Sequence, residues 1–213
     1  MIRFDHPQGS PEWKAARLGV VTASGLDKIL TAKGLKPSAQ ADGYMHRLIA
    51  ETILGVPLDD QSIGFMERGI EMEGEAARWY AFDRGVSLET VGFLARDDGR
   101  VGCSPDRLVG DDGGLEIKVP AAQTHVGYLL NPDTLAAEYR GQVQCGLWIS
   151  GRKWWDLLSY SPAFPQVVVR VAPDPVYLAA LAPAVDAFLT RMDAALATIR
   201  PLVEARMVEN PLL

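Results

Sequence analysis

Between Cys103 and Pro120 the chain reads Cys-Ser-Pro-Asp-Arg-Leu-Val-Gly-Asp-Asp-Gly-Gly-Leu-Glu-Ile-Lys-Val-Pro, and no other stretch limits so tightly what it can fold into. Asp111, Asp112, Gly113 and Gly114 are turn formers, with positive φ open to either glycine. Leu115, Ile117 and Val119 then alternate with Glu116 and Lys118. In a strand, that period of two sends the apolar set into a core and puts Glu116 and Lys118 on one face. The segment therefore predicts a hairpin with Asp106 on one strand and the Glu116–Lys118 pair on the other. Two carboxylates and an ammonium so placed suit hydrolysis of a phosphodiester with a hard divalent cation. The carboxylate oxygens hold the ion, and the lysine orients or deprotonates water.

A carboxylate two residues before a lysine arises about once by chance in a chain of this composition, and Glu12-Trp13-Lys14 is such a copy. That copy follows Pro11 and has no upstream acid partner, so we read it as a decoy. The bland alternative for the Glu116 copy is a surface hairpin with solvated charges.

The flanking sequence predicts helices at 11–18, 42–54, 66–84, 134–149 and 175–199, and strands at 87–96, 100–109, 114–119, 153–160 and 166–172. Ser10 and Pro11 mark one helix start, and Ser24 reads as a second N-cap. Residues 31–41 read as a loop, and Pro183 as a kink or fresh start in the last helix. Met66, Ile70, Met72, Ala76, Ala77, Tyr80 and Phe82 supply the apolar face of the helix at 66–84. Helices lead, a central mixed sheet follows and helices cover it, which is an α/β layer fold in a single domain over 1–213.

Other residues can join the site. Glu73 sits at the edge of the buried face of its helix and can supply a third carboxylate; Glu71 and Glu75 read as a solvated acidic face. Ser24 at a helix start and Arg17 with its fork of donors suit a phosphate, though a plain cap and a surface cation fit them equally simply. Tyr139 and Gln142 share a helix face, and the Gln142 amide can orient water or a phosphate oxygen.

Charge is unevenly spread. Residues 1–50 hold 7 Lys and Arg against 4 Asp and Glu, while 51–213 hold 14 against 23. A locally basic segment still guides phosphate, because screening limits distant charge to about 8–10 Å. The net charge of −6 argues against sequence-blind coating of DNA, not against an enclosed site. Cys103 and Cys145 lie in apolar surroundings, His6, His46 and His125 show no ligand spacing, and there is neither a signal-peptide pattern nor a membrane span. A reduced, cytoplasmic protein is expected.

These signals fall in a familiar order: Gly9-Ser10-Pro11-Glu12-Trp13, Arg17 through Ser24, Met72-Glu73, Cys103-Ser104-Pro105-Asp106, Leu115 through Pro120, Tyr139-x-x-Gln142-Val143-Gln144 and Phe188 through Asp193. On them the chain resembles the phage lambda-type exonucleases, or viral recombinase alkaline exonucleases, of the PD-(D/E)xK nuclease superfamily. The resemblance implies a restriction-endonuclease-like core and digestion of duplex DNA from 5′ ends, with 5′ mononucleotides released and 3′ tails left. It also implies two Mg²⁺ ions per site, with Mn²⁺ substituting, a homotrimeric ring around DNA, and a single-strand annealing protein as partner in a phage-infected bacterial cell. By position, Asp106, Glu116, the Ile117 carbonyl and Glu73 become metal ligands, Lys118 contacts the water, and Gln142 with Tyr139 supports the site. Arg17, Ser24 and Ser104 become the 5′-phosphate pocket. Arg107 departs from the glycine usual after the aspartate. The rivals are an endonuclease of the same superfamily and a non-catalytic module that binds DNA ends.

Overall fold

A computed structural model describes the backbone of residues 1–58 and 63–209, and their side chains outside 63–71 and 207–209. The elements in chain order are β1 (Ile2–Phe4), α1 (Pro11–Ala16), β2 (Val21–Thr22), a 3-10 helix (Ala23–Lys28), α2 (Ala41–Leu54) and α3 (Ile63–Arg84). Strands β3 (Leu88–Glu89), β4 (Phe93–Ala95), β5 (Val101–Cys103), β6 (Arg107–Val109) and β7 (Gly113–Lys118) follow. Then come α4 (Ala122–Leu130), α5 (Asp133–Glu138), α6 (Arg140–Ser150), β8 (Trp154–Ser159), β9 (Val167–Val171) and α7 (Pro175–Glu209).

The expected α/β layering is present, but the strands form two mixed sheets and not one. Their orders are β1-β4-β5-β2 and β3-β6-β7-β8-β9. The chain passes from the first sheet to the second at Ser104-Pro105-Asp106, so the strand expected over 100–109 is two short ones. Pro105 has no N–H to give a ladder, and its carbonyl instead accepts from the Gln8 side chain at 2.8 Å.

In the second sheet β6 and β7 pair antiparallel through Arg107↔Leu115, and β7 pairs parallel with β8. Alternation along β7 holds. Leu115 and Ile117 pack with Tyr80, Ala76 and Leu158 beneath α3, and Glu116 and Lys118 point to the opposite face, toward α6. Positive φ falls on Gly110, not on Gly113 or Gly114. Those two are strand residues that make room for indoles: a Cβ at Gly113 would lie 2.2 Å from Trp154, and at Gly114 2.3 Å from Trp155.

Small residues also let α6 lie close. A Cβ at Gly146 would be 2.8 Å from Trp155, and one at Gly141 2.5 Å from Asp27. The helix expected over 134–149 breaks at Tyr139 into α5 and α6. Helix α7 runs on to Glu209 with Pro183 and Pro201 inside it, so Pro183 ends nothing. Asp174 caps its start, accepting from the Val176 and Tyr177 amides. Helix α3 extends the expected 66–84, but Phe82 is 89% exposed and faces solvent. Met66, Ile70 and Glu71 lie outside the residues whose side chains are described. Among the described residues no helix is long and apolar enough to cross a membrane.

Candidate active site

The site forms where β6 parts from β7. Asp106 stands just beyond the last pair of that ladder, not inside a strand as the sequence suggests. Its carboxylate takes over the lost main-chain acceptor: the Ile117 N–H donates to Asp106 Oδ2 at 2.6 Å. This bond holds Asp106 beside the neighbouring Glu116. Helix α6, seated close by its glycines, brings Gln142 to the same face. Lys118 Nζ donates to Glu116 Oε1 at 2.7 Å and to Gln142 Oε1 at 3.1 Å. The Gln142 amide nitrogen also donates to Glu116 Oε1. The Lys118 ammonium lies 4.5 Å from the centre of the Tyr139 ring.

These contacts fix the charge states. Burial pushes the Asp106 carboxyl well above the usual range, and the charges of Glu116 and Glu73 add to it. Burial also raises Glu116, against the opposing pull of Lys118 and Gln142. Burial lowers Lys118, but the Glu116 charge and hydrogen bond outweigh it and hold the ammonium above its ordinary value. Lys118 is thereby held as an ammonium between Glu116 and Gln142.

Two enclosed carboxylates, both raised by burial and by the Glu73 charge, are a site short of positive charge. The donors available are hard oxygens, which suits Mg²⁺ or Mn²⁺. Both donors to Glu116 converge on Oε1, so Oε2 has no hydrogen bond among the described residues. Glu73 is engaged differently from expectation: its Oε1 accepts from Arg107 Nη1 at 2.9 Å. Accordingly, no cluster of three His, Cys, Asp or Glu side chains forms a closed metal cage among the described residues. Arg107 itself has ordinary strand backbone, so the departure from glycine costs no strain.

A cleft of about 200 Å³ joins Arg17, Ser24 and Ser104 to Asp106, Glu116 and Gln142. Arg17 and Ser24 lie more than a hundred positions before Gln142, and the fold brings them to one cleft. Arg17 lies flat on Trp13, 3.9 Å from the ring centre, and its Nη1 is 3.3 Å from Ser104 Oγ. The Trp13 indole N–H donates to the same hydroxyl at 3.0 Å. Burial lowers the Arg17 pKa to about 10. Arg17 has no carboxylate within ion-pair distance among the described residues, and the shielded cation that faces the cleft touches the neutral Trp13 and Ser104.

Ser24 lines this cleft but is not an N-cap. Thr22 precedes the 3-10 helix, and no side chain caps it. The exposed Ser24 hydroxyl has Thr22 Oγ1 at 3.4 Å. Glu75 is exposed as expected, yet it accepts from the Tyr160 hydroxyl at 2.6 Å. Sequence reading missed Trp13 and Gln8. Trp13 sits four residues before Arg17, the spacing at which helix neighbours meet, and that signal was available inside the segment set aside as a decoy.

Residues 12–153 match the model of the YqaJ-like viral recombinase domain. The fold is similar to the crystal structure of an alkaline exonuclease (LHK-Exo) from Laribacter hongkongensis, with a TM-score of 0.81 and 30% identity over 92% of this chain and 99% of that one. The structure of LHK-Exo in complex with dAMP matches at 0.81 and 31% identity, with the same coverage. A phage related exonuclease from Haemophilus somnus 129PT shares the fold at a TM-score of 0.67 and 15% identity, over 84% of this chain and 96% of that one. No curated protein matches.

Proposed function

Because the chain belongs to the YqaJ-like viral recombinase family and is a nuclease of the alkaline exonuclease type, we propose that it digests linear double-stranded DNA from 5′ ends, releasing 5′ mononucleotides and leaving 3′ tails for recombination by annealing. One observation carries this reading: a single cleft holds, at one end, a guanidinium with no ion pair among the described residues beside two hydroxyls, and at the other the carboxylates of Asp106 and Glu116.

In the proposed mechanism Arg17, Ser24 and Ser104 bind the 5′-terminal phosphate. A terminal phosphate carries more charge than an internal one, so a shielded cation selects it. Asp106, Glu116 and the Ile117 carbonyl would hold Mg²⁺, or Mn²⁺ in its place. When bound, the ion supplies Lewis-acid stabilisation of charge on the phosphoryl oxygens and favours hydroxide at neutral pH. Lys118, fixed by Glu116 and Gln142 and packed against Tyr139, orients the attacking water. Its preformed position avoids reorganisation at the moment of reaction.

Processive digestion would follow from a homotrimeric ring threaded by DNA, with a single-strand annealing protein receiving the tail in the cytoplasm of a phage-infected cell. Light scattering should then give about three times the 23.2 kDa chain mass. End-labelled linear duplex, with and without a 5′-phosphate, in Mg²⁺ and in chelator, tests the activity. Labelled mononucleotide released only with metal, and fastest from the phosphorylated end, is expected. Cutting of closed circular DNA would favour an endonuclease. End binding with no hydrolysis would favour a non-catalytic module.

A further inference from the structure

Glu73 lies near enough to Asp106 and Glu116 for its charge to act on both, without the three closing into one cage, and the protein pairs the three carboxylates unequally. Glu116 has Lys118 at 2.7 Å and Glu73 has Arg107 at 2.9 Å, whereas Asp106 has no ion pair among the described residues and accepts only the Ile117 amide. Arg107 and Glu73 lie on the α3 side of the sheet, and Glu116 and Lys118 on the α6 side. The two sides meet at Asp106, where β6 leaves β7.

The Glu73–Arg107 contact is built rather than incidental. The Arg107 Nη1 that donates to Glu73 also donates to the main-chain carbonyl of Asp106. The guanidinium therefore clasps the backbone of one carboxylate residue and the side chain of another. Both partners are mostly shielded, with 20% and 31% of their side chains exposed. Helix α3 is tied to the sheet just after the contact, by Tyr160 to Glu75 at 2.6 Å and by Tyr80 to Asp156 at 2.6 Å. Glu73 is thereby held at a distance where its charge is felt by both Asp106 and Glu116.

Resting on the metal-dependent reading above, we infer that Arg107 is a positioning residue that stands in for a divalent ion beside Glu73, so that the DNA-free site takes one ion, on Asp106 and Glu116, and not two. Two fixed cations, Lys118 and Arg107, each neutralise one carboxylate, which leaves about one carboxylate uncompensated at Asp106. A second ion must displace a guanidinium that already satisfies Glu73. Arg107 in this way sets the ion count and the role of Glu73, which serves as the anchor of an arginine before it serves as a ligand.

Calorimetric titration of Mn²⁺ into the full-length protein without DNA tests this, paired with the electron paramagnetic resonance spectrum of the bound Mn²⁺. Wild type should bind one ion per chain with an uncoupled spectrum. Arg107→Ala should gain a second ion, or bind the first at least tenfold more tightly, with spin-coupled pairs when two are bound. Glu73→Gln placed in the Arg107→Ala background should abolish that gain, and Arg107→Lys, which keeps the charge, should behave as wild type. Two coupled ions in the wild type, or the same stoichiometry and affinity in Arg107→Ala, overturns the inference while leaving the nuclease reading intact. The wild-type measurement decides even if Arg107→Ala does not fold. No Mn²⁺ binding by the wild type, together with metal-independent hydrolysis, overturns the reading beneath it as well.

Discussion

Replacing Arg17 with alanine removes a guanidinium that packs on Trp13 and donates to the Ser104 hydroxyl. Its cost to folding should be small. The cation–π contact is worth about 0.5–2 kcal/mol, but burial of the charge, which lowers the Arg17 pKa to about 10, offsets part of that. Its cost to function should be selective. A charge-assisted hydrogen bond contributes about 1.5–3 kcal/mol, so the initial rate on 5′-phosphorylated duplex should fall roughly 10- to 150-fold. On 5′-hydroxyl duplex the partner oxygens are missing, and the loss should be less than about threefold on the same scale. Raising salt should reproduce part of the wild-type loss, since the missing interaction is electrostatic. Initial rates of wild type and Arg17→Ala on both ends, in low and high salt, measure all of this. Equal fractional losses on the two substrates would show that the guanidinium does not read the 5′ end.

Asp106→Asn keeps an acceptor for the Ile117 amide but removes the buried charge. It should abolish divalent-ion binding and cut hydrolysis by orders of magnitude, while the melting temperature in chelator stays level or rises, because position 106 no longer buries a carboxylate against the Glu116 and Glu73 charges. A lowered melting temperature would contradict the repulsion. Lys118→Ala should depress kcat far more than Mn²⁺ affinity, read by single-turnover rates beside metal titration, since Lys118 acts on water. Asp174→Ala removes the cap of α7 and the partner of Arg140, and should cost about 1–2 kcal/mol in urea unfolding at neutral pH. The Tyr177 amide and Arg140 hold the Asp174 carboxyl below its ordinary value. Its contribution is therefore complete above the ordinary carboxylate value and is lost as pH falls through the depressed one, so wild type and mutant should converge in strong acid.

What the sequence made readable was whatever depends on neighbours a few residues away. The alternation at Leu115–Lys118, the Ser10 cap, whose oxygen accepts from the Trp13 amide at 3.2 Å, and the apolar face at Ala76, Ala77 and Tyr80 all obey local rules. The failures share a distant cause. Gly113 and Gly114 look like turn residues, but their hydrogens answer to Trp154 and Trp155, forty residues on. Pro183 reads as a kink or a fresh start, yet α7 makes no fresh start there, because Leu181, Val185 and Phe188 pack into the core on both sides of it. Phe82 has the right spacing for the core, but it falls on the solvent side of the turn whose Tyr80 is buried. The site residues could be named one at a time; their joining in one cleft, and the capture of Glu73 by Arg107, depend on a switch between sheets that no short motif encodes.

That switch gives the cleft a built-in ruler. Ser104 and Asp106 are two residues apart, so the backbone permits them a separation of only about 7 Å. In the proposed reaction Ser104 would belong to the end that grips the terminal phosphate, and Asp106 to the end where a phosphodiester would be cut. On the proposed chemistry the distance from the DNA end to the cut is thus a length of polypeptide, held at one side by Gln8 on Pro105 and at the other by the Ile117 amide on Asp106. An enzyme that measures in this way counts nucleotides by covalent geometry, and its unit of product changes only if residues are added to that short span.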